Sequence, residues 1–212
     1  MPFHAAGDHA PRSERNVHNR AVSSYAPSIK ALAYSRERLR KNDDRGENML
    51  LATMTTTPGL PTLRGVEAEK EAILKMLPAY LLLDKYDKAG RLVQDTMRVH
   101  SVSELKLESA RIAYLSAAST AENGAARLGD EVIHLASGFQ IAGFAHVVGC
   151  LWPPEDAVCV EIAKGFYGTL FKGDIETMDE DVALALHEAV SAVREMECDQ
   201  PLKWAQFVHY GA

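Results

Sequence analysis

The stretch Arg111 to Asp130, RIAYLSAASTAENGAARLGD, runs directly into Glu131 to Trp152, EVIHLASGFQIAGFAHVVGCLW. It opens as a short apolar strand, Ile112, Tyr114 and Leu115 around Ala113, then breaks into small hydroxyl residues and Gly124. A strand that stops in a Ser/Ala/Thr loop presents that loop at the carboxyl end of a sheet, where open α/β folds place their chemistry. Asp130 and Glu131 then start a helix over 130–143, favourably near its positive end. Leu135, Phe139 and Ala142 share one face of it, and Gly143 ends it before a second strand over 145–151. Gly149, Cys150, Leu151 and Trp152 fall where that strand reaches the carboxyl edge.

Working outward, residues 1–20 are polar and Pro-containing without periodicity, and are expected to form a tail lacking fixed structure ahead of one domain over 21–212. Ile29, Leu32, Ala33 and Leu39 have helical spacing, with Ser28 as a cap. Met49 to Met54 reads as a buried strand that ends in Thr55, Thr56, Thr57, Pro58 and Gly59. Glu67 to Leu77 reads as an amphipathic helix with acidic first turns. After Pro78, AYLLLDKYD reads as a strand and turn, or as the start of a helix. Helices are expected over 88–97 and 103–110.

Downstream, Pro153 and Pro154 end the second strand, and Glu155 to Leu170 forms a long helix. A last helix, Glu180 to Met196, carries Val182, Leu184, Leu186 and Val190 on its apolar positions. Alternating strands and helices predict an α/β fold, a mostly parallel sheet with helices on both faces.

The 212 residues suit one α/β domain with a real core. A formal charge of −6 argues against a nucleic-acid partner, which needs a basic face. No window approaches the roughly 20 apolar residues that span a bilayer, so no membrane association is expected. MPFHAAGDHAPRSERN lacks the apolar core of a secretory signal. Cys150, Cys159 and Cys198 are an odd, unpatterned set, which makes a reduced, cytoplasmic setting the expectation.

Six blocks in order resemble the CHAT domain, a caspase-like cysteine peptidase family, especially forms found after tetratricopeptide repeats. They are SSYAPSIKALAY at 23–34, MLLATMTTTPGLPTLRGVEAEKEAI at 49–73, AYLSAASTAENG at 113–124, DEVIHLASGFQIAGFAHVVGCLWPPED at 130–156, FYGTLF at 166–171 and PLKWAQFVHYGA at 201–212. The resemblance implies a caspase-like three-layer α/β sandwich, here without its repeats. The family's nucleophile loop reads LSAC-x-T, and Ala118 stands at its cysteine.

The family's histidine lies upstream in a strand-end motif, H-F-x-C-H-G, and no such string occurs here. The chain passes from VQDTMRV almost directly to SVSELKLESARIAYLS. It is therefore expected to lack roughly 25–30 residues and one central strand, the size of a single strand with its connection. In the family, the strand end and following acidic loop wall the substrate cleft, so Trp152, Glu155 and Asp156 are candidate cleft residues. The simpler alternative has Trp152 capping the core and the two acids solvating a helix start.

Cysteine peptidase chemistry needs a thiolate, a histidine within hydrogen-bond reach and donors for the oxyanion. Alanine has no atom that can attack a carbonyl. Ser116, Ser119 and Thr120 surround the vacant position, but a serine needs a general base within about 3 Å. For His100, His134, His146, His187 and His209 a surface or packing role is favoured. Ser116 and Ser119 are more simply loop hydroxyls satisfying local backbone groups, yet they complete the candidate cleft.

No C-x-x-C or H-x-x-x-H spacing suggests a metal. Cys150 and Cys159 are most simply small buried hydrophobes. GFQIAG lies within a helix and lacks a dinucleotide turn, and ATMTTTPGL lacks the Lys or glycine nest of a phosphate cradle. No cofactor is implied.

The first functional reading is therefore a catalytically inactive, pseudopeptidase CHAT-like domain that binds a protein or peptide or regulates one. The alternative is a cysteine endopeptidase whose catalytic segment is missing from this gene product. A third is a chain that does not fold stably, because losing a central strand exposes two sheet edges.

Overall fold

A computed structural model describes residues 2–10, 13–41, 50–51, 68, 71–73, 75, 81–82, 110–115, 136–152, 154–172 and 178–211. In chain order these form α1 (Ile29–Lys41), β1 (Leu50–Leu51), β2 (Leu81–Leu82), β3 (Ile112–Tyr114), α2 (136–142) and β4 (His146–Cys150). Then come α3 (Asp156–Leu170), α4 (Met178–Met196), the single turn α5 (Pro201–Trp204) and β5 (Phe207–Gly211). The chain is a mixed α/β protein.

Strands β1 and β2 pair in parallel, Leu50 with Leu81 and Leu51 with Leu82. Strands β3, β4 and β5 form a separate sheet in that order. Strand β3 runs parallel to β4, with Ala113 opposite Val147, and β5 runs antiparallel to β4, with Val148 opposite His209. The parallel pair β3–β4 follows from the strand–loop–helix–strand reading of 111–151. The antiparallel β5 has no counterpart in that reading. Its five residues, FVHYG, are all buried, so the alternation that marks a half-exposed strand is missing.

Side-chain alternation divides the sheet's two faces. Ile112, Tyr114, Val148, Cys150 and Phe207 join the core formed by α3 and α4, where Ile162, Phe166, Val182 and Val190 are buried. Ala113, Val147, Val208 and Tyr210 join Ala136, Phe139 and Ala142 of α2 on the other face. Helices thus cover the three-stranded sheet on both sides. Cys150 and Cys159 are buried within the first core.

Helices α3 and α4 approach closely at Gly165. A Cβ there would lie 2.9 Å from Ala189 Cβ and 3.1 Å from Ala189 Cα, so hydrogen at position 165 sets the interhelical distance. Helix α2 ends as its sequence predicts. Gly143 has φ 125°, and its N–H bonds Gln140 O at 3.1 Å while Phe144 N–H bonds Phe139 O at 3.1 Å. This is a Schellman cap, completed by the Phe139–Phe144 contact at 5.4 Å between ring centroids.

The amino-terminal segment, described over residues 2–10 and 13–20, carries a set of polar contacts. Gly7 bridges to Asn16 in antiparallel fashion. Asp8 accepts from Ala10 N–H at 3.0 Å and Ser13 Oγ at 2.9 Å. Buried Asn16 donates to Asp8 O and Ser13 O and accepts from Asn19 N–H at 2.8 Å. Side-chain-to-backbone bonds of this kind order a polar segment without hydrophobic periodicity.

The expected helix over 88–97, residues 103–109 of the helix expected over 103–110, and Thr55 to Gly59 lie outside the described residues. The family blocks that fall there are likewise outside them.

Candidate functional site

Because β3 and β4 are parallel, their carboxyl ends reach the same sheet edge. Leu115 N–H extends the ladder to Val148 O at 2.8 Å, and the chain then enters the loop expected to carry the chemistry. Ser116, Ala118, Ser119 and Thr120 all lie outside the described residues.

The other strand end is described. Leu151 N–H bonds Gln206 O at 2.9 Å. Trp152 is half-buried against the α3–α4 core, and its Nε1–H donates to Leu202 O at 2.8 Å. Pro154 is buried and Glu155 caps α3 through its backbone, accepting from Val158 N–H at 3.0 Å and Cys159 N–H at 3.1 Å. Its carboxylate is exposed and lies 3.7 Å from Lys203 Nζ. Asp156 is the exposed first residue of α3, where the helix dipole favours a negative charge.

Trp152 and Glu155 therefore converge on α5, through Leu202 and Lys203. Lys203 also meets Glu197 at 3.2 Å, and that hydrogen bond holds its ammonium above the usual lysine range. The acidic character of the strand end is thus partly balanced by one cation.

A second constellation, built of histidines, escaped the reading by motif. His146 on β4 and His209 on β5 are fully buried, with Nδ1 and Nε2 3.0 Å apart. Burial, with the neighbouring His146 as a smaller cause, pushes His209 down to about 3. On the adjoining face of α4, His187 stacks on His18 with ring centroids 4.2 Å apart. His4 meets the Tyr25 hydroxyl through Nδ1 at 2.8 Å.

A cavity of about 20 Å³, room for one water, lies among His4, His18, Tyr25, His187 and His209. No group of three or more His, Cys, Asp or Glu among the described residues is arranged to hold a metal ion. No spacing rule in the sequence unites these rings, because they come from the amino-terminal segment, α4, β4 and β5.

Among the described residues, no helix is long and apolar enough to cross a membrane. The family model of the CHAT domain matches residues 75–212. No curated protein and no solved structure matches the chain.

Proposed function

The chain belongs to the CHAT domain family, and from that premise we propose that it is a catalytically inactive, caspase-like domain that binds a peptide or protein. The single observation that carries this reading is Ala118 at the position of the family's nucleophile. A methyl group supplies neither lone pair nor acidic proton, so no acyl-enzyme can form there. The absence of any H-F-x-C-H-G string removes the general base as well. Loss of both groups leaves positioning and binding as what the scaffold offers.

The caspase-like three-layer sandwich belongs to the same proposal. It is supported by helices on both faces of the β3–β4–β5 sheet. In the proposed mode, an extended peptide lies along the carboxyl edge between the 116–120 loop and the Trp152–Asp156 segment. Glu155 and Asp156 favour a basic side chain in that peptide, Glu155 less so because Lys203 is beside it. Kinship with forms that follow tetratricopeptide repeats, and a cytoplasmic setting, are part of this reading.

A panel of fluorogenic peptides with basic, acidic and apolar residues before the scissile bond tests it. No turnover above buffer is expected. Turnover that Ser119→Ala abolishes would overturn the proposal, since it would place a working serine in the vacant loop.

A further inference from the structure

The amino-terminal arm, residues 2–10 and 13–28, is attached to the domain by a backbone bridge and by imidazoles. Tyr25 N–H donates to His209 O at 2.8 Å, and Gly211 N–H donates to Tyr25 O at 3.1 Å. This parallel bridge occupies the side of β5 that β4 does not use. Ser24 Oγ adds a bond to Gly211 O at 3.2 Å. The arm therefore covers a sheet edge whose backbone groups would otherwise be open to another strand.

The imidazoles of His4 and His18 are buried beside α4. Ser191 Oγ donates to His187 O at 2.8 Å, so it accepts from His18, whose Nε2 lies 2.8 Å away. Tyr25 Oη accepts from the His4 backbone N–H at 3.1 Å and lies 2.8 Å from His4 Nδ1. A second proton on His4 would put a cation in a buried site. One on His18 would put a cation in a buried stack with His187.

The surrounding charges do not favour such a cation. From α4, Arg194 donates to His9 Nδ1 at 3.2 Å and to Asn19 Oδ1 at 2.7 Å. The α4 carboxylate Glu188 is engaged with Thr169 Oγ1 at 3.0 Å. Within the arm, Asp8 is taken up by Ala10 and Ser13. From the sheet the facing titratable groups are His209, paired to His146, and Tyr210; from α5 the uncharged Trp204 ring packs against His9 and His18.

We propose that the arm is an acid-released strap: protonation of His4 and His18 detaches it from α4 and uncovers the outer edge of β5. Burial, the largest cause in each, pushes His4 down to about 4 and His18 to about 3, and lowers His187 as well. Released imidazoles return toward about 6.5. Below that pH the released arm binds protons that the docked arm excludes, so acid favours release. The equilibrium shifts by up to about tenfold per pH unit for each histidine, until the docked rings protonate too.

Amide hydrogen exchange on the full chain between pH 7.5 and 4.5, corrected for intrinsic rates, tests this. Tyr25 and Gly211 should lose protection by up to about a hundredfold per pH unit below pH 6, from two histidines acting together. Leu115 and Leu151, bonded elsewhere in the sheet, should stay protected. The double variant His4→Phe, His18→Phe keeps the rings without the protons, and should flatten the dependence. Protection at Tyr25 and Gly211 that ignores pH, or that is lost together with Leu115 and Leu151, overturns the strap. So does a wild-type pH dependence in the double variant.

Discussion

His146 and His209 face one another across β4 and β5, Nδ1 to Nε2 at 3.0 Å, because Gly211 leaves room for them. Gly211 is the register partner of His146. A Cβ on it would lie 3.0 Å from each of those two ring nitrogens and 2.7 Å from Ala145 O. One facing nitrogen must donate and the other accept, so the pair joins the last strand to the strand beside it through a single shared proton.

Replacing one ring leaves the other's buried nitrogen without its partner. His209→Leu should cost about 1–3 kcal/mol, the desolvation penalty of an unsatisfied buried polar atom. Urea unfolding at pH 7.5 reads this as a lower midpoint at unchanged slope. An unaltered midpoint would show that the pair contributes packing alone.

Acid should weaken the fold through the same residue. His209 titrates at about 3 when folded because burial penalises its charge, and near 6.5 when unfolded. Its contribution is fully present above pH 6.5. Between pH 6.5 and 3 the unfolded chain binds a proton that the folded chain excludes, so stability falls by up to about 1.4 kcal/mol per pH unit from this group. His4 and His18 act in the same direction. Unfolding midpoints that hold constant from pH 7 to 4.5 would contradict this.

Gly165→Ala should destabilise, although alanine is intrinsically better in a helix by about 1 kcal/mol. The new methyl would meet Ala189 Cβ at 2.9 Å, and overpacking of a tight core costs about 1–3 kcal/mol. Ala189→Gly in the same chain should recover part of the loss. Thermal unfolding of the two single variants and the double variant gives the coupling; strict additivity would mean the helices do not touch there.

Restoring the thiol should not restore an enzyme. Ala118→Cys supplies a nucleophile but no histidine of the family's motif to deprotonate it, and a cysteine alone is only a few per cent thiolate at neutral pH. Hydrolysis of fluorogenic peptides by this variant should remain at the buffer level. Turnover that appears with the cysteine would reveal a general base elsewhere in the chain.

Much of the architecture was legible because its signals are local. Gly143 after an apolar helical face announces a left-handed cap, and the Phe139–Phe144 contact that completes it lies within the same stretch. Pro153 and Pro154 mark the end of β4, and the apolar spacing of 155–170 and 180–196 locates α3 and α4 to within two residues at each end. The contacts of the amino-terminal arm were not legible, since Asp8, Ser13 and Asn16 make polar bonds rather than follow apolar periodicity. For the candidate cleft, Trp152 and Glu155 are candidates through the family resemblance, and their partners Leu202 and Lys203 were not legible in the sequence.

From the amino acids alone came the α/β class, the family and the identity of residue 118, each a property of contiguous stretches or of their order. Tertiary structure alone decided where the histidines meet. His146 and His209 are 63 residues apart, and His18 and Ser191 are 173 apart; strand register and helix packing bring them together. A hydrogen bond or a lowered pKa depends on that distance and burial, which no local pattern of residues encodes.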